Sequence, residues 1–392
     1  MAHTDNAAAR FVDSHLDAGR ADKPAFREVD GEQRTLTYGA LAHGSGRAAA
    51  AMQAAGLRRE ERAAMLLLDT NDYPQLFWGA LKAGVVAVPL NTLLSASIYD
   101  VILRDSRASA LFVSAALYDT VAPVLGDNPC LRTIVVVGGA APAGTISYDD
   151  FMAGHEPAET ADVSPDDVAF WLYSSGSTGQ PKGVTHVHRS LAATADTYGT
   201  NVFGVQEDDL VYSAAKIFFA YGLGNAMTFP MSVGATTLLF AGRPTPDGVI
   251  DILASQRPTL FCGVPTLFSA MLAQLEGGAK ADFALRLCIS AGEALPEATG
   301  IGWHAKTGVD ILDGVGSTEM LHIFITNRFE DHKPNCTGKP VKGYEAKVIG
   351  PDGAELPRGE VGRLAMRGPT GCRYMFGERQ TEYVQNGWNI SG

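Results

Sequence analysis

The stretch Tyr173-Ser-Ser-Gly-Ser-Thr-Gly-Gln-Pro-Lys-Gly183 decides how this chain is read. An apolar run, Val168 to Leu172, leads into it and a helical pattern is predicted beyond it. Glycines let backbone N–H groups come close to phosphate oxygens, hydroxyls add donors or a ligand for Mg²⁺, and Lys182 supplies a point charge against a polyphosphate. A Walker A loop is excluded, because it requires Gly-Lys-Ser/Thr and here Pro181 precedes the lysine and Gly183 follows it. On composition alone a Gly/Ser-rich surface loop fits equally well. The order of the residues has to decide.

Outward from this loop the chain alternates helical and β-branched stretches. On the N-terminal side lie Leu41 to Ala55 (helix), Ala63 to Leu68 (strand), Tyr73 to Ala83 (helix), Val85 to Pro89 (strand), then strands Ala110 to Ser114 and Thr133 to Val137. Such alternation predicts βαβ units and a parallel sheet. From Gly138 to Asp167 small residues, prolines and acids predict a mostly irregular connection. A second series has strands near Val211 to Ala214, Ala235 to Phe240, Leu260 to Gly263 and Leu287 to Ser290, with helices near Ser190 to Thr200, Pro246 to Gln256 and Thr266 to Leu275. After about Asn335 short strands and turns take over, as in Glu345 to Ile349 and Gly362 to Arg367. The fold class expected is α/β with mainly parallel sheets: a first lobe with linker at 1–167, a second lobe at 168–335 and a small β-barrel-like unit at 336–392.

The 392 residues are enough for two or three domains at about 150 residues each. With 46% hydrophobic and 19% charged residues the chain is expected to be globular. Its net charge of −12 argues against broad attraction to nucleic acid or anionic lipid. The five cysteines form no C-x-x-C pair, so neither a zinc knuckle nor a redox centre is expected. No signal peptide or membrane-length apolar run is evident, and a cytoplasmic location is the expectation.

The loop sequence closely resembles the signature of the adenylate-forming superfamily: acyl- and aryl-CoA ligases, peptide-synthetase adenylation domains and luciferases. The likeness extends to Leu36-Thr-Tyr38, Gly84 to Asn91, Ser290-Ala-Gly-Glu-Ala-Leu-Pro296, Gly314-Val-Gly-Ser-Thr-Glu319 and Gly359-Glu-Val-Gly362, all in the family's order. It implies that a carboxylate attacks the α-phosphate of ATP, pyrophosphate leaves, and the acyl-adenylate passes to a thiol. Ser174, Ser175, Gly176 and Lys182 match the cradle of the β- and γ-phosphates, Thr178 and Glu319 the Mg²⁺ positions, and Thr318 the α-phosphate contact. Gly292, Glu293 and Ala294 match the strand end flanking adenine, and Asp313 the side chain meeting its amino group, within the nucleotide-binding run Gly314, Val315, Gly316, Ser317. Many relatives have an aromatic where Val315 stands, which implies weaker stacking on the base.

Lys216-Ile-Phe-Phe-Ala-Tyr-Gly-Leu-Gly-Asn225 and Gly314 to Phe324 resemble the benzoate–CoA ligase branch. In that branch Ala220, Tyr221, Gly316, His322 and Ile323 enclose an aryl ring, with Gly222 widening the slot and Phe219 as a gate. Ala220 replaces the aspartate of amino-acid-activating relatives, so an α-amino acid is not the expected substrate. The resemblance implies an AMP-forming aryl-CoA ligase of aromatic acid degradation, taking benzoate or a hydroxybenzoate such as 2-hydroxybenzoate, with ATP, Mg²⁺ and coenzyme A. An enzyme loading the aryl group onto a carrier protein, and a non-catalytic nucleotide or aryl-acid binder, are the other readings. The sequence ends at Asn386-Gly-Trp-Asn-Ile-Ser-Gly392, inside a family motif. By resemblance a C-terminal domain with the adenylation-promoting lysine would follow, so the expectation is slow adenylation and no thioester formation by these residues alone.

Overall fold

A computed structural model describes residues 5–174, 181–275, 281–333, 335–371, 373–374 and 377–391. They form two compact units, Met1–Leu191 and Ala192–Gly392.

The first unit opens with a hairpin of β1 (Pro24–Glu28) and β2 (Thr35–Thr37), antiparallel to each other. Thr37 then caps the helix Tyr38–Ala54 by accepting from the Ala40 N–H at 3.1 Å. Next come β3 (Arg62–Leu66), β4 (Val86–Pro89), β5 (Ala110–Ser114), β6 (Thr133–Val137), β7 (Ile146–Ser147), β8 (Val168–Ser174) and β9 (Lys182–Val187). Their order in the sheet is β9-β8-β4-β3-β5-β6-β7, parallel except for the pair β8 and β9. Every residue of β5 is buried, as a strand covered on both faces requires. The connection 138–167 is less irregular than its composition predicts. Ser147 caps a short helix, Tyr148–Met152, through the Asp150 N–H.

Two expectations need correction here. Residues 168–191 belong with the first unit, because β8 pairs with β4 and β9 pairs with β8. The phosphate-loop motif also leads into a strand before any helix: Val184-Thr-His-Val187 is β-branched at three of four positions and pairs antiparallel with β8.

The second unit contains β10 (Leu210–Ser213), β11 (Thr236–Leu239), β12 (Leu260–Gly263), β13 (Leu287–Ala291), β14 (Ile311–Gly316), β15 (Ile323–Thr326) and β16 (Lys339–Pro340). Their order is β16-β15-β14-β13-β12-β10-β11, parallel from β11 to β14 and antiparallel at β15 and β16. One polar lock aligns three of these strands at their N-terminal ends. Asp209, immediately before β10, accepts from Thr259 Oγ1 at 2.7 Å, immediately before β12, and from Arg286 Nε at 2.9 Å, immediately before β13. Burial opposes the Asp209 charge, but Arg286, the Thr259 hydroxyl and the Gln206 N–H outweigh it and hold the carboxyl below the ordinary aspartate range.

The chain continues through β17 (Glu345–Ile349), β18 (Arg363–Arg367), β19 (Arg373–Tyr374), β20 (Val384–Gln385) and β21 (Trp388–Ile390). Four of these form an antiparallel sheet, ordered β17-β18-β21-β20, over Ile349, Ala365 and Ile390. This sheet stands where a β-barrel-like unit is predicted, within the second compact unit. Among the described residues no helix is long and apolar enough to cross a membrane.

Candidate active site

The carboxyl ends of parallel strands, opposite the Asp209 lock, are where open α/β sheets place ligands. In the second unit these ends carry most of the residues singled out in the sequence. β13 runs into Gly292, whose φ is +97°, followed by Glu293 and Ala294, all three exposed. Asp313, in the middle of β14, is only 5% exposed. Its Oδ2 accepts from the Leu295 N–H at 3.5 Å, while Oδ1 is buried and no donor meets it in hydrogen-bond geometry. Burial pushes this carboxyl up to about 6, against the pull of the Leu295 N–H, the Ser290 hydroxyl and the Gly314 N–H.

β14 continues through Gly314, the half-buried Val315 and the exposed Gly316 into the turn of Ser317, Thr318 and Glu319. The turn is held by its own backbone and by a neighbour. Ser317 Oγ accepts from the Met320 N–H at 3.1 Å, and the Met320 carbonyl accepts from the Thr370 hydroxyl at 2.8 Å. Leu321 adopts φ +70°, turning the chain back into β15. Thr318 and Glu319 are half-buried.

Of the aryl-pocket candidates, Tyr221 and Gly316 lie against His322, which is 3% exposed. The rings of Phe229, Tyr198 and Tyr221 lie 4.6, 4.8 and 5.6 Å from the His322 ring. Burial drives the imidazole pKa down to about 3, so it is neutral at physiological pH. Neither ring nitrogen has a hydrogen-bond partner among the described residues. Two glycines make room for this side chain. A Cβ on Gly224 would lie 2.5 Å from His322 Cδ2, and a Cβ on Gly316 would lie 2.7 Å from the His322 carbonyl oxygen. The imidazole therefore lies directly on the helical backbone at Gly224.

Tyr221 is tied to the sheet by its hydroxyl, which faces the Ile289 carbonyl at 3.0 Å and the Gly263 carbonyl at 3.2 Å. Its single proton is thus shared between the middle of β13 and the end of β12. The Tyr221 hydroxyl therefore has no proton left to offer a ring hydroxyl. Ala220 opens the short helix Ala220–Leu223, with Phe219 at its N-cap, and Gly222 is buried inside it. Phe219 is 47% exposed and packs on Phe218 with ring centroids 4.4 Å apart, while Ile323 is buried in β15.

In the first unit, Ser174 and Lys182 face each other across the β8–β9 pair. Lys182 is buried, and Tyr173 beside Ser174 donates its hydroxyl to Asp105 at 2.8 Å. Ser175, Gly176 and Thr178 lie outside the described residues. His188 accepts from the Ala7 N–H at 3.2 Å through Nδ1, and burial lowers its pKa to about 4. It is a tether for the N-terminal segment. Two residues next to the pocket escaped the sequence reading. Tyr198 sits in no motif, and its only signal was an aromatic on a helical face. Asn225, fully buried with both amide atoms unpaired, looked like an ordinary end to the aromatic segment.

Comparison with known proteins gives the class to which this geometry belongs. The AMP-binding enzyme family matches over residues 14–374. A benzoate–CoA ligase of Thauera aromatica is 45% identical over 392 residues, 99% of this chain and 73% of its own. A 4-hydroxybenzoate–CoA/benzoate–CoA ligase of Rhodopseudomonas palustris is 44% identical, over 99% of this chain and 72% of its own. Among solved structures, a benzoate CoA ligase from Burkholderia xenovorans superposes with a TM-score of 0.91 at 41% identity, over 99% of this chain and 76% of that one. The chain belongs to the AMP-binding enzyme family, and its α/β fold is that of the large N-terminal domain of adenylate-forming enzymes.

Proposed function

We propose that this chain serves an AMP-forming aryl-CoA ligase that activates benzoate or a hydroxybenzoate. The observation that carries the reading is the neutral His322 imidazole packed among the rings of Tyr221, Phe229 and Tyr198, with alanine at 220 and so no acid there to meet a substrate ammonium. The ligases of T. aromatica and R. palustris, which act on benzoate and 4-hydroxybenzoate, support it.

In this reading the aryl ring lies among Ala220, Tyr221, Gly222, Gly316, His322 and Ile323, with Phe219 at the mouth. Gly292, Glu293, Ala294 and Val315 flank adenine, whose amino group meets the Asp313 side chain. Gly314, Gly316 and Ser317 carry the backbone past the nucleotide, and Thr318 contacts the α-phosphate. Ser174, Ser175, Gly176 and Lys182 hold the β- and γ-phosphates. Glu319, with the Thr178 hydroxyl, offers the oxygen ligands that suit Mg²⁺. Bound there, Mg²⁺ would neutralise charge on the phosphates.

A substrate carboxylate oxygen forms a bond to the α-phosphorus as the bond to pyrophosphate breaks. No protein nucleophile is required, so the side chains contribute orientation and charge compensation. The CoA sulfur then attacks the acyl carbon after losing its proton, and AMP departs with the electron pair. A neutral imidazole with unpaired nitrogens can also accept or donate to a ring hydroxyl, which makes 2-hydroxybenzoate the rival to benzoate.

The test is native mass spectrometry after incubation with Mg²⁺-ATP and, separately, benzoate, the hydroxybenzoates, aminobenzoates, hexanoate and phenylalanine. Retention of one aryl-adenylate is the expected result. An adduct with hexanoate or phenylalanine in place of an aryl acid would refute the pocket assignment. Absence of any adduct, with tight binding of a synthetic aryl-adenylate, would agree with the slow adenylation expected of these residues alone; absence of that binding as well would favour a degenerate relative. Thioester formation, followed separately with CoA and with a carrier protein, distinguishes the acceptor.

A further inference from the structure

The turn that carries Glu319 is anchored from outside by the small antiparallel sheet. Tyr344 stands immediately before β17 and Thr370 three residues after β18, and the pairing of Glu345 with Arg367 brings these two chain segments together. Both side chains are buried, each 6% exposed. The Tyr344 ring lies against the chain at Gly368, where any Cβ would collide with Tyr344 Cδ1. The Tyr344 N–H donates to the Val341 carbonyl at 2.9 Å, and the Val341 N–H to the Phe324 carbonyl at 2.8 Å. This segment is therefore fixed to β15, the strand into which the turn leads.

The hydroxyls form a directed chain. Thr370 Oγ1 lies 2.8 Å from the Met320 carbonyl oxygen and 2.8 Å from the Tyr344 hydroxyl. A carbonyl only accepts, so the single Thr370 proton goes to Met320, and Thr370 in turn accepts from Tyr344. Thr197, which also faces the Tyr344 hydroxyl, does not compete as a donor, because its proton goes to the Ala193 carbonyl at 2.7 Å. Met320 directly follows Glu319, and its N–H donates to Ser317 Oγ at 3.1 Å. Met320 is thus gripped through both of its backbone polar groups, one by the turn itself and one by the sheet.

We infer that Thr370, backed by Tyr344, is a positioning residue for Glu319 and so for the Mg²⁺ contact assigned to that carboxylate. This rests on the nucleotide reading above and deepens it. Thr370→Val keeps the shape of the side chain but takes this donor from the buried Met320 carbonyl and lets the turn shift. Small displacements of groups that orient a reaction are costly, up to about 100-fold for ~1 Å.

Isothermal titration of the full chain with ATP, in excess EDTA and in saturating Mg²⁺, tests this without turnover. In the wild type Mg²⁺ is expected to tighten ATP binding. In Thr370→Val that gain should shrink at least about fivefold, with binding in EDTA within about twofold of wild type and a native circular dichroism spectrum. Thr370→Ser keeps the hydroxyl and should recover the gain to within about twofold. Tyr344→Phe leaves the Thr370 proton on Met320 and should lose about twofold, and adding it to Thr370→Val should cause no further loss, because the relay is already cut. Pyrophosphate release should follow the same order, as a fall in kcat with the benzoate KM within about twofold. If valine unfolds the chain, Thr370→Ala removes the hydroxyl without added bulk and carries the same expectation. A folded variant lacking the hydroxyl yet keeping the full Mg²⁺ gain overturns the inference. Failure of Thr370→Ser to restore the gain overturns it as well, and so does equal weakening with and without Mg²⁺, which would mark general loosening of the site. If wild-type ATP binding ignores Mg²⁺, or ATP does not bind the folded chain, the reading of Glu319 as a metal ligand fails and this inference falls with it.

Discussion

Gly224→Ala is the smallest change that tests the aryl pocket. The glycine has ordinary helical backbone angles, φ −64° and ψ −60°, so alanine introduces no backbone strain and its effect is purely steric. The new Cβ would lie 2.5 Å from His322 Cδ2, 2.8 Å from His322 Nε2 and 2.8 Å from Phe229 Cζ. Both rings are buried, and the imidazole must retreat by close to an ångström toward Tyr198 and Tyr221 or into the space assigned to the substrate ring. Overpacking of this kind costs about 1–3 kcal/mol. If the imidazole yields toward the substrate, that cost is felt mainly on binding of the aryl acid, about 5- to 150-fold at 1.4 kcal/mol per decade. Initial rates of pyrophosphate release, measured against benzoate at saturating ATP and against ATP at saturating benzoate, separate the two substrates. The expected result is a raised KM for benzoate, little change in the KM for ATP, and circular dichroism showing a native fold. A folded Gly224→Ala protein with an unchanged benzoate KM would refute the placement of the ring against His322.

Four further outcomes follow from the geometry. Asp313→Asn removes a carboxyl whose pKa stands near 6 against an ordinary 3.8. A raised carboxyl binds its proton more tightly in the folded state, so the wild type loses stability as pH rises from about 4 to 6, on the order of 3 kcal/mol for two units. The variant should melt several degrees above wild type at pH 8 and show little advantage at pH 4; an equal difference at both would contradict the burial argument. Arg286→Ala leaves the buried Asp209 carboxylate without its guanidinium and should cost about 3 kcal/mol in urea unfolding, the low end for such pairs because Arg286 is 37% exposed. In the wild type this contribution is present above the ordinary aspartate pKa and is lost as pH falls through the lowered one, so the deficit of the variant should shrink in acid. Lys182→Ala should reduce kcat/KM for adenylation by at least about 100-fold, as expected for loss of a charge on the transferring phosphates, and a change below tenfold would remove it from that role. Tyr221→Phe frees the Ile289 and Gly263 carbonyls without opening the pocket and should raise the benzoate KM only a few-fold, with no selective loss of 2-hydroxybenzoate, since its proton is already committed.

Most of the sheet was legible because parallel strands buried on both faces read as short apolar runs. Ala110–Ser114 and Thr133–Val137 coincide with their predicted limits for that reason. The boundary at 167/168 was misplaced because composition changes at the connection, whereas membership of a sheet is decided by hydrogen bonding: β8 pairs back to β4 across more than 80 residues. Lys182–Val187 was hidden by its glycine and its proximity to the loop, cues that suggest a turn. Within the candidate site, Asp313, Gly316 and His322 were singled out through ordered motifs. The commitment of the Tyr221 hydroxyl to two carbonyls could not be read, because those partners lie 42 and 68 residues away along the chain. Asn225 and Tyr198 escaped for the same reason, since burial and pairing are properties of packing and not of local pattern.

Under the proposed function, the arrangement around His322 would let a site that handles a highly charged nucleotide hold an uncharged ring nearby without a dedicated polar contact. A protonated histidine would have to be solvated or paired, and none of the three aromatic neighbours is an acid. Burial resolves this by keeping the imidazole neutral, so that it packs as a flat apolar plate while retaining two unpaired nitrogens. Unpaired buried nitrogens carry an energetic cost, and an unsubstituted ring does not relieve it. A hydroxyl placed to reach either nitrogen does, by about the value of one buried hydrogen bond, ~1 kcal/mol or roughly fivefold in affinity. The hydroxyl position on the preferred substrate should therefore follow His322: in His322→Phe the ratio of kcat/KM between the favoured hydroxybenzoate and benzoate should fall by about that factor. An unchanged ratio would mean that shape alone, set by Gly224 and Gly316, selects the acid.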